Sequence, residues 1–267
     1  MIRIGPSIRP KYFPAATVDP DAQAFITAAG ITDATQQSAI NTLVTDLKGY
    51  GVWSKMKAIY PFVGGTATTH KYNLKDPADT NAAFRLVFNG GWVHSSTGAL
   101  PNGVNSYALT FFAPTPNADK NSVHISYYSR TDASGGIEMG SEDLSNVSYC
   151  LLGIKSGANN SFVAIGDYVG NLTTNTDGKG FYTAQRISSS TVNRWKNGIK
   201  TSTYSQSSVN NNTQIVIGTW IRSTGTFGSF TTKQCAFASM GLHLSDSEAS
   251  DFNTAVQAFQ TTLGRNV

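Results

Sequence analysis

Glu138 and Glu142 stand four residues apart in Glu138-Met139-Gly140-Ser141-Glu142. On a β-strand an even spacing puts both side chains on one face. Two carboxylates facing each other across a glycosidic bond can hydrolyse it. The preceding Ser134-Gly135-Gly136 reads as a loop, however, which is a poor base for a rigid pair. His70, His94, His124 and His243 fall in separate segments, and no Gly-x-Ser-x-Gly elbow accompanies them. Neither His-x-His nor His-Glu-x-x-His occurs, so zinc is not expected. Asp143, Asp167 and Asp177 with loop carbonyls could form an oxygen cage for calcium, although no ligand string fixes one. No other cofactor is expected. Two pairs suit sugar recognition better: Trp92 with His94 after Gly90-Gly91, and Trp220 with Arg222 after Gly218. Each could offer a ring face and a hydrogen-bonding group from one side of a strand end. The competing reading of both tryptophans is core, where indoles are heavily buried on average. The sequence is therefore read as a binding protein and not an enzyme.

The elements that must hold these residues are mostly strands. The chain has 267 residues, 40% of them hydrophobic and only 13% charged. The charged share is about half of the usual quarter, and the remainder of the surface is Ser, Thr, Asn and Gly. Net charge is +4 and the isoelectric point is near 9.0, yet Lys and Arg are scattered singly, which speaks against nucleic acid. No stretch is long and apolar enough to enter a membrane, and Met1 to Pro6 lacks the apolar core of a signal peptide. Cys150 and Cys235 lie in apolar strand-like runs, either as buried thiols or as a disulfide between neighbouring strands.

Residues 1–19 carry Pro6, Pro10 and Pro14 and read as an extended arm. Its Arg3, Arg9, Tyr12 and Phe13 would dock to a partner. A helical preface follows over residues 20–52, with Ile40, Leu43, Val44 and Leu47 forming one apolar stripe. From residue 53 to 267 the period falls to two. About ten short strands punctuated by Gly-rich turns predict an antiparallel β-sandwich. Val147 to Ile154 is apolar on both faces, as a central strand between two sheets would be. Ser245 and Glu248 form a capping box that opens a closing helix. Phe252, Val256, Phe259 and Leu263 share one of its faces, and the helix is expected across the sandwich mouth.

The last quarter, with Trp195-Lys196-Asn197-Gly198, Ile217-Gly218 and Leu244-Ser245-Asp246-Ser247-Glu248, resembles the concanavalin A-like, laminin-G-like jelly roll. Hydrolases of that group carry Glu-x-Asp-x-Glu on one strand, and Gly140 replaces the central acid here. A longer resemblance is to virion proteins of tailed bacteriophages, especially those of Bacteroidetes hosts. It covers Asp19 to Phe25, Ile59 to Gly65, Lys71 to Asp76, Phe88 to Trp92 and Phe259 to Arg265. The resemblance implies a virion component of a fibre, tail appendage or capsid surface. Its arm would bind other virion proteins, its sandwich would meet host glycans, and the chain would self-associate. A purely structural capsid or tail subunit and a glycan depolymerase are the alternatives.

Overall fold

The computed structural model describes residues 18–267; Arg3, Arg9, Tyr12 and Phe13 of the expected docking arm lie outside the described residues. The helices are α1 (Pro20–Ala29), α2 (Ala34–Gly49), the single turns α3 (Ala67–His70) and α4 (Pro114–Asn117), and α5 (Asp246–Thr262). The first strands are β1 (Met56–Tyr60), β2 (Val87–Asn89), β3 (Val93–Ser95), β4 (Gly98–Leu100) and β5 (Tyr107–Leu109). Longer ones follow: β6 (Val123–Ser129), β7 (Met139–Asp143), β8 (Ser148–Gly153), β9 (Asn160–Asp167), β10 (Asn171–Thr174) and β11 (Gly180–Arg186). The chain then adds β12 (Thr191–Lys196), β13 (Ile199–Ser205), β14 (Val216–Ile217), β15 (Ile221–Arg222) and β16 (Cys235–Gly241).

These strands form two 8-stranded sheets. The first runs β13-β12-β11-β6-β16-β4-β3, and β1 pairs with the free half of β16. The second runs β10-β9-β8-β7-β14-β5-β2. In it β15 lies beside β7 in the one parallel pairing among the described residues. All other pairings are antiparallel, so the protein is mainly β, as its alternating segments predict.

Local sequence explains the ends of these elements. Asp19 accepts from the Asp21 N–H and Pro20 opens α1, while Gly30 closes it in the left-handed region at φ 64. Asp33 caps α2 through the Gln36 N–H at 2.8 Å. Asn197 and Gly198 turn β12 into β13 with φ of 49 and 75, the geometry an Asn-Gly hairpin turn requires. At α5 the Glu248 N–H donates to Ser245 Oγ at 3.2 Å, and the Ser245 N–H donates to Glu248 Oε2 at 2.7 Å. Ser245→Ala is expected to cost about 1 kcal/mol in urea unfolding. An unchanged midpoint would mean that the Lys55–Glu248 ion pair at 2.5 Å holds the helix start alone.

Two hydrophobic cores result. One lies between the sheets and takes Ile125, Tyr127, Leu152, Val163, Ile217 and Met240. The other lies between the first sheet and the helices and takes Phe25, Leu43, Phe181, Phe237, Phe252 and Phe259. A bulge between Cys235 and Phe237 lets Ala236 and Phe237 both face the helices. The closing helix therefore lies on the outer face of the first sheet and not across the mouth. Phe252 packs edge-on against Phe181 at 5.1 Å.

The expectation for Val147 to Ile154 also needs correcting. Val147 is a turn residue at φ 53 and β8 begins after it. Cys150 and Leu152 enter the inter-sheet core, so Tyr149 and Leu151 take the opposite face.

Candidate functional site

That outward face of the second sheet carries a cluster of aromatic and charged side chains. Strand register sets Tyr149 on β8 directly beside Glu142 on β7, and Glu142 beside Arg222 on β15. Arg222 Nε donates to Glu142 Oε2 at 2.7 Å. The Glu142 side chain is 5% exposed and that of Arg222 is 49% exposed. The acid is thus covered while its partner keeps open donors.

Aromatic rings surround this pair. Tyr168 stacks on Tyr149 with centroids 4.3 Å apart and planes 20° from parallel. Trp220 meets Tyr149 edge-on at 6.3 Å. The Arg222 guanidinium lies 5.1 Å from the centre of the Trp220 ring, a cation–π distance. Burial first, and then the neighbouring Glu142, pushes the Tyr168 phenol up to about 12, so it stays neutral and keeps its O–H donor.

The Trp220 indole packs against a hairpin closed by the Gly228 N–H donating to the Trp220 carbonyl at 3.0 Å. A Cβ at Gly228 would stand 1.8 Å from Trp220 Nε1. Only glycine lets the backbone come this close to the indole.

Beyond Arg222 the platform drops into a groove of about 460 Å3 whose walls include Asp143, Asn146, Asn212, Gln214 and Ser223. Burial pushes the Asp143 carboxyl up, but donors from Asn212, Asn146 and Ser145 pull it below its ordinary value. A ring platform, a half-open guanidinium and an amide-lined groove can hold a sugar by stacking and hydroxyl pairing. A larger hollow of about 560 Å3, walled by Lys120, Asp167, Gln206 and several serines, has no aromatic side chain.

The other predicted pair is built differently. Trp92 and His94 do face one way, with centroids 6.3 Å apart. Trp92 packs against the inter-sheet core and donates Nε1–H to the Tyr107 carbonyl at 3.2 Å. His94 Nδ1 lies 2.9 Å from His70 Nδ1. Both side chains are half-buried and engaged, and they do not join Trp220 and Arg222. Tyr149 and Tyr168 escaped the sequence reading. The signal available was a tyrosine out of phase with Cys150 and Leu152.

Glu138 does not face Glu142 across an open cleft. It is fully buried with Lys233, Nζ to Oε1 at 2.9 Å and both side chains 0% exposed. The hydrolytic pairing of Glu138 with Glu142 is therefore not available. Asp143, Asp167 and Asp177 do not gather either, and no cluster of three acidic, His or Cys side chains occurs among the described residues. Cys150 and Cys235 are free, buried thiols on opposite sheets and form no disulfide. Burial pushes the Cys150 thiol up to about 12. Among the described residues no helix is long and apolar enough to cross a membrane.

No protein-family model matches the chain. No curated protein matches it either. Among solved structures, the binding domain of botulinum neurotoxin DC in complex with rat synaptotagmin II is similar at 10% identity. That match covers 77% of this chain and 52% of that one, with a TM-score of 0.49. The botulinum neurotoxin serotype G binding domain matches at 10% identity over 74% of this chain and 50% of that one, TM-score 0.49. Domain 4 of AbnA, a GH43 extracellular arabinanase from Geobacillus stearothermophilus, in complex with arabinotriose, matches at 12% identity. There the cover is 74% of this chain and 98% of that one, with a TM-score of 0.38. The chain spans about half the length of the neurotoxin domains it matches. Its description as a two-sheet β-sandwich rests on its own strand pairing, and these distant likenesses add no function to it.

Proposed function

We propose that this protein is a non-enzymatic, glycan-binding β-sandwich. One observation carries the reading: Arg222 is held by Glu142 and Trp220 yet half its side chain stays open. A sugar would lay its apolar face on Trp220 or Tyr168 and pair its hydroxyls with Arg222. Of the four residues singled out in the sequence, Trp220 and Arg222 stay in this proposal, joined by Tyr149 and Tyr168. Trp92 and His94 serve a neighbouring cluster.

The finer reading places the chain on a bacteriophage particle, on a fibre, tail appendage or capsid surface. It is supported by the resemblance of Ile59 to Gly65, Phe88 to Trp92 and Phe259 to Arg265 to virion proteins. Self-association would multiply weak sugar contacts.

The test is binding to an array of bacterial surface glycans. Trp220→Ala is expected to weaken binding about tenfold, and Tyr168→Ala several-fold, with unfolding curves close to those of the parent. Binding that survives both changes moves the sugar elsewhere. A silent array, together with loss of particle incorporation on deleting residues 1–19, would leave the purely structural virion subunit.

A further inference from the structure

Four arginines are instructive when their hydrogen bonds are compared. Arg265 is 0% exposed and bonds outward from every nitrogen. Nε donates to Gln260 Oε1 at 2.6 Å, Nη1 to the Phe62 carbonyl at 2.8 Å and Nη2 to the Pro61 carbonyl at 2.7 Å. Arg186 is likewise 0% exposed and donates Nε–H to the Ile165 carbonyl at 2.6 Å and Nη1–H to the Gln206 carbonyl at 2.9 Å. Arg130 reaches the Arg265 carbonyl and Gln234. These are clamps with their donors satisfied by the fold.

Arg194 on β12 differs. It is 2% exposed and donates from Nη2 to the Asn171 carbonyl on β10 at 2.7 Å. Its Nε and Nη1 have no partner. Buried donors left without acceptors are rare and costly in native proteins, and a cation in that state more so.

Arg194 lines a cavity of about 60 Å3 that it shares with Lys196, Tyr182, Ser161, Thr173 and Asn175. The cavity sits between the sheets, where the edge strands β10 and β13 touch. Lys196 Nζ donates to Asn175 Oδ1 at 3.0 Å and to the Asp177 carbonyl at 2.8 Å. Neither Arg194 nor Lys196 has a carboxylate within ion-pair distance among the described residues. Asp177 and Asp132 favour the Lys196 charge from farther away. Burial lowers the Arg194 guanidinium to about 10, so it remains a cation at neutral pH. Two cations thus line a space with no carboxylate of its own, and the open donors there are those of Arg194, because Ser161, Tyr182 and Asn175 already donate to the Gly153, Asp177 and Ile154 carbonyls.

The geometry points to a binding site for a small oxyanion, a carboxylate or carbonate-type group, between β10 and β13, with Arg194 and Lys196 as its counter-charges. A water molecule takes about 30 Å3 of liquid, so the space admits a planar group of a few atoms but no sugar ring. The group arrives either as a free anion or as the carboxylate of an acidic sugar whose ring stays outside, beside the exposed Thr174 and Thr201. The site is separate from the Trp220 platform and stands or falls without it.

The experiment titrates the full chain with sodium acetate, sodium bicarbonate and methyl glucuronide at constant ionic strength, with methyl glucoside as the neutral control. Thermal midpoint and calorimetry are the readouts. A saturable rise with acetate or bicarbonate, absent with methyl glucoside, supports a free anion. A rise with methyl glucuronide alone supports the acidic sugar as source. In Lys196→Gln the apparent Kd is expected to rise about tenfold or more, as for loss of one charge-assisted donor. Arg194→Gln should abolish the response. If that variant does not fold, Lys196→Gln and a bromide-soaked crystal of the parent decide. No saturable response to any carboxylate, or density for water alone in the cavity, overturns the proposal.

Discussion

Lys233→Met is expected to lower the unfolding free energy by about 3–5 kcal/mol at pH 7, the usual cost of leaving a buried charge without its partner. The partner is Glu138, and both side chains are 0% exposed. Glu138 Oε1 accepts from Lys233 Nζ at 2.9 Å and from Thr231 Oγ1 at 2.7 Å, and Oε2 accepts from the Ile154 N–H at 2.5 Å. Lys233 also donates to the Gly135 carbonyl at 2.7 Å. The pair therefore ties the glycine loop before β7 to the segment before β16. Methionine nearly conserves volume, so the loss reports charge and hydrogen bonding. Adding Glu138→Gln should recover much of it, because no buried charge remains.

The pH dependence gives a second check on the same pair. Burial pushes the Glu138 carboxyl up, while Lys233, Thr231 and Ile154 pull it back. Burial already wins in the parent, and without Lys233 the carboxyl rises further. A carboxyl whose folded pKa is raised contributes stability present at low pH and lost as pH climbs. The deficit of Lys233→Met relative to the parent should therefore be larger at pH 8 than at pH 5. A cost below 1 kcal/mol at pH 7, or a deficit independent of pH, would show that water relaxes around the carboxylate.

Acid should weaken the parent protein well above the carboxylate range. His124 is fully buried and donates Nδ1–H to the Leu242 carbonyl at 2.6 Å, with Nε2 accepting from Ser239 Oγ at 3.0 Å. Burial lowers it from the ordinary 6.5 to about 4. His70 is 1% exposed and its Nε2 has no partner. That atom is best left unprotonated, so Nδ1 carries the proton and donates to His94. A second proton on His70 would sit beside Phe62 with no acceptor. Burial, and then His94 and Arg265, lower His70 to about 3.

The unfolded chain takes up these protons below about pH 6.5 and the native state refuses them until far lower. Stability is then complete above pH 6.5 and falls as pH drops towards 4. At pH 5 each histidine forfeits about 2 kcal/mol, the worth of 1.5 pH units. Denaturant midpoints at pH 7 and pH 5 measure the sum. Replacing both with asparagine should flatten that slope even where it lowers stability at pH 7. A parent midpoint unchanged between the two pH values would contradict the buried neutral state.

Features written in adjacent residues were legible in the sequence. Asn197-Gly198 and the Ser245–Glu248 box act within a few positions, and each sits where its local chemistry predicts. The stripe of Phe252, Val256 and Phe259 shows that α5 must be buried, but a stripe does not say against what. Contacts that depend on sheet order were not legible. Glu138 meets Lys233 across 95 positions, and Arg222 meets Glu142 across 80. Half of the aromatic platform, Trp220 and Arg222, was visible as an aromatic beside a cation. Tyr149 was hidden in an apolar run and Tyr168 behind a separate turn.

The helical layer covers one outer surface of the sandwich, and the aromatic platform occupies the other. α1, the first described element, belongs to the covered side. Anything that grips the protein at α1 thus holds it from behind, with two sheets about 10 Å apart between grip and platform. The molecule has a front and a back, and an array fixed through the helical layer would turn every Trp220 towards the surroundings.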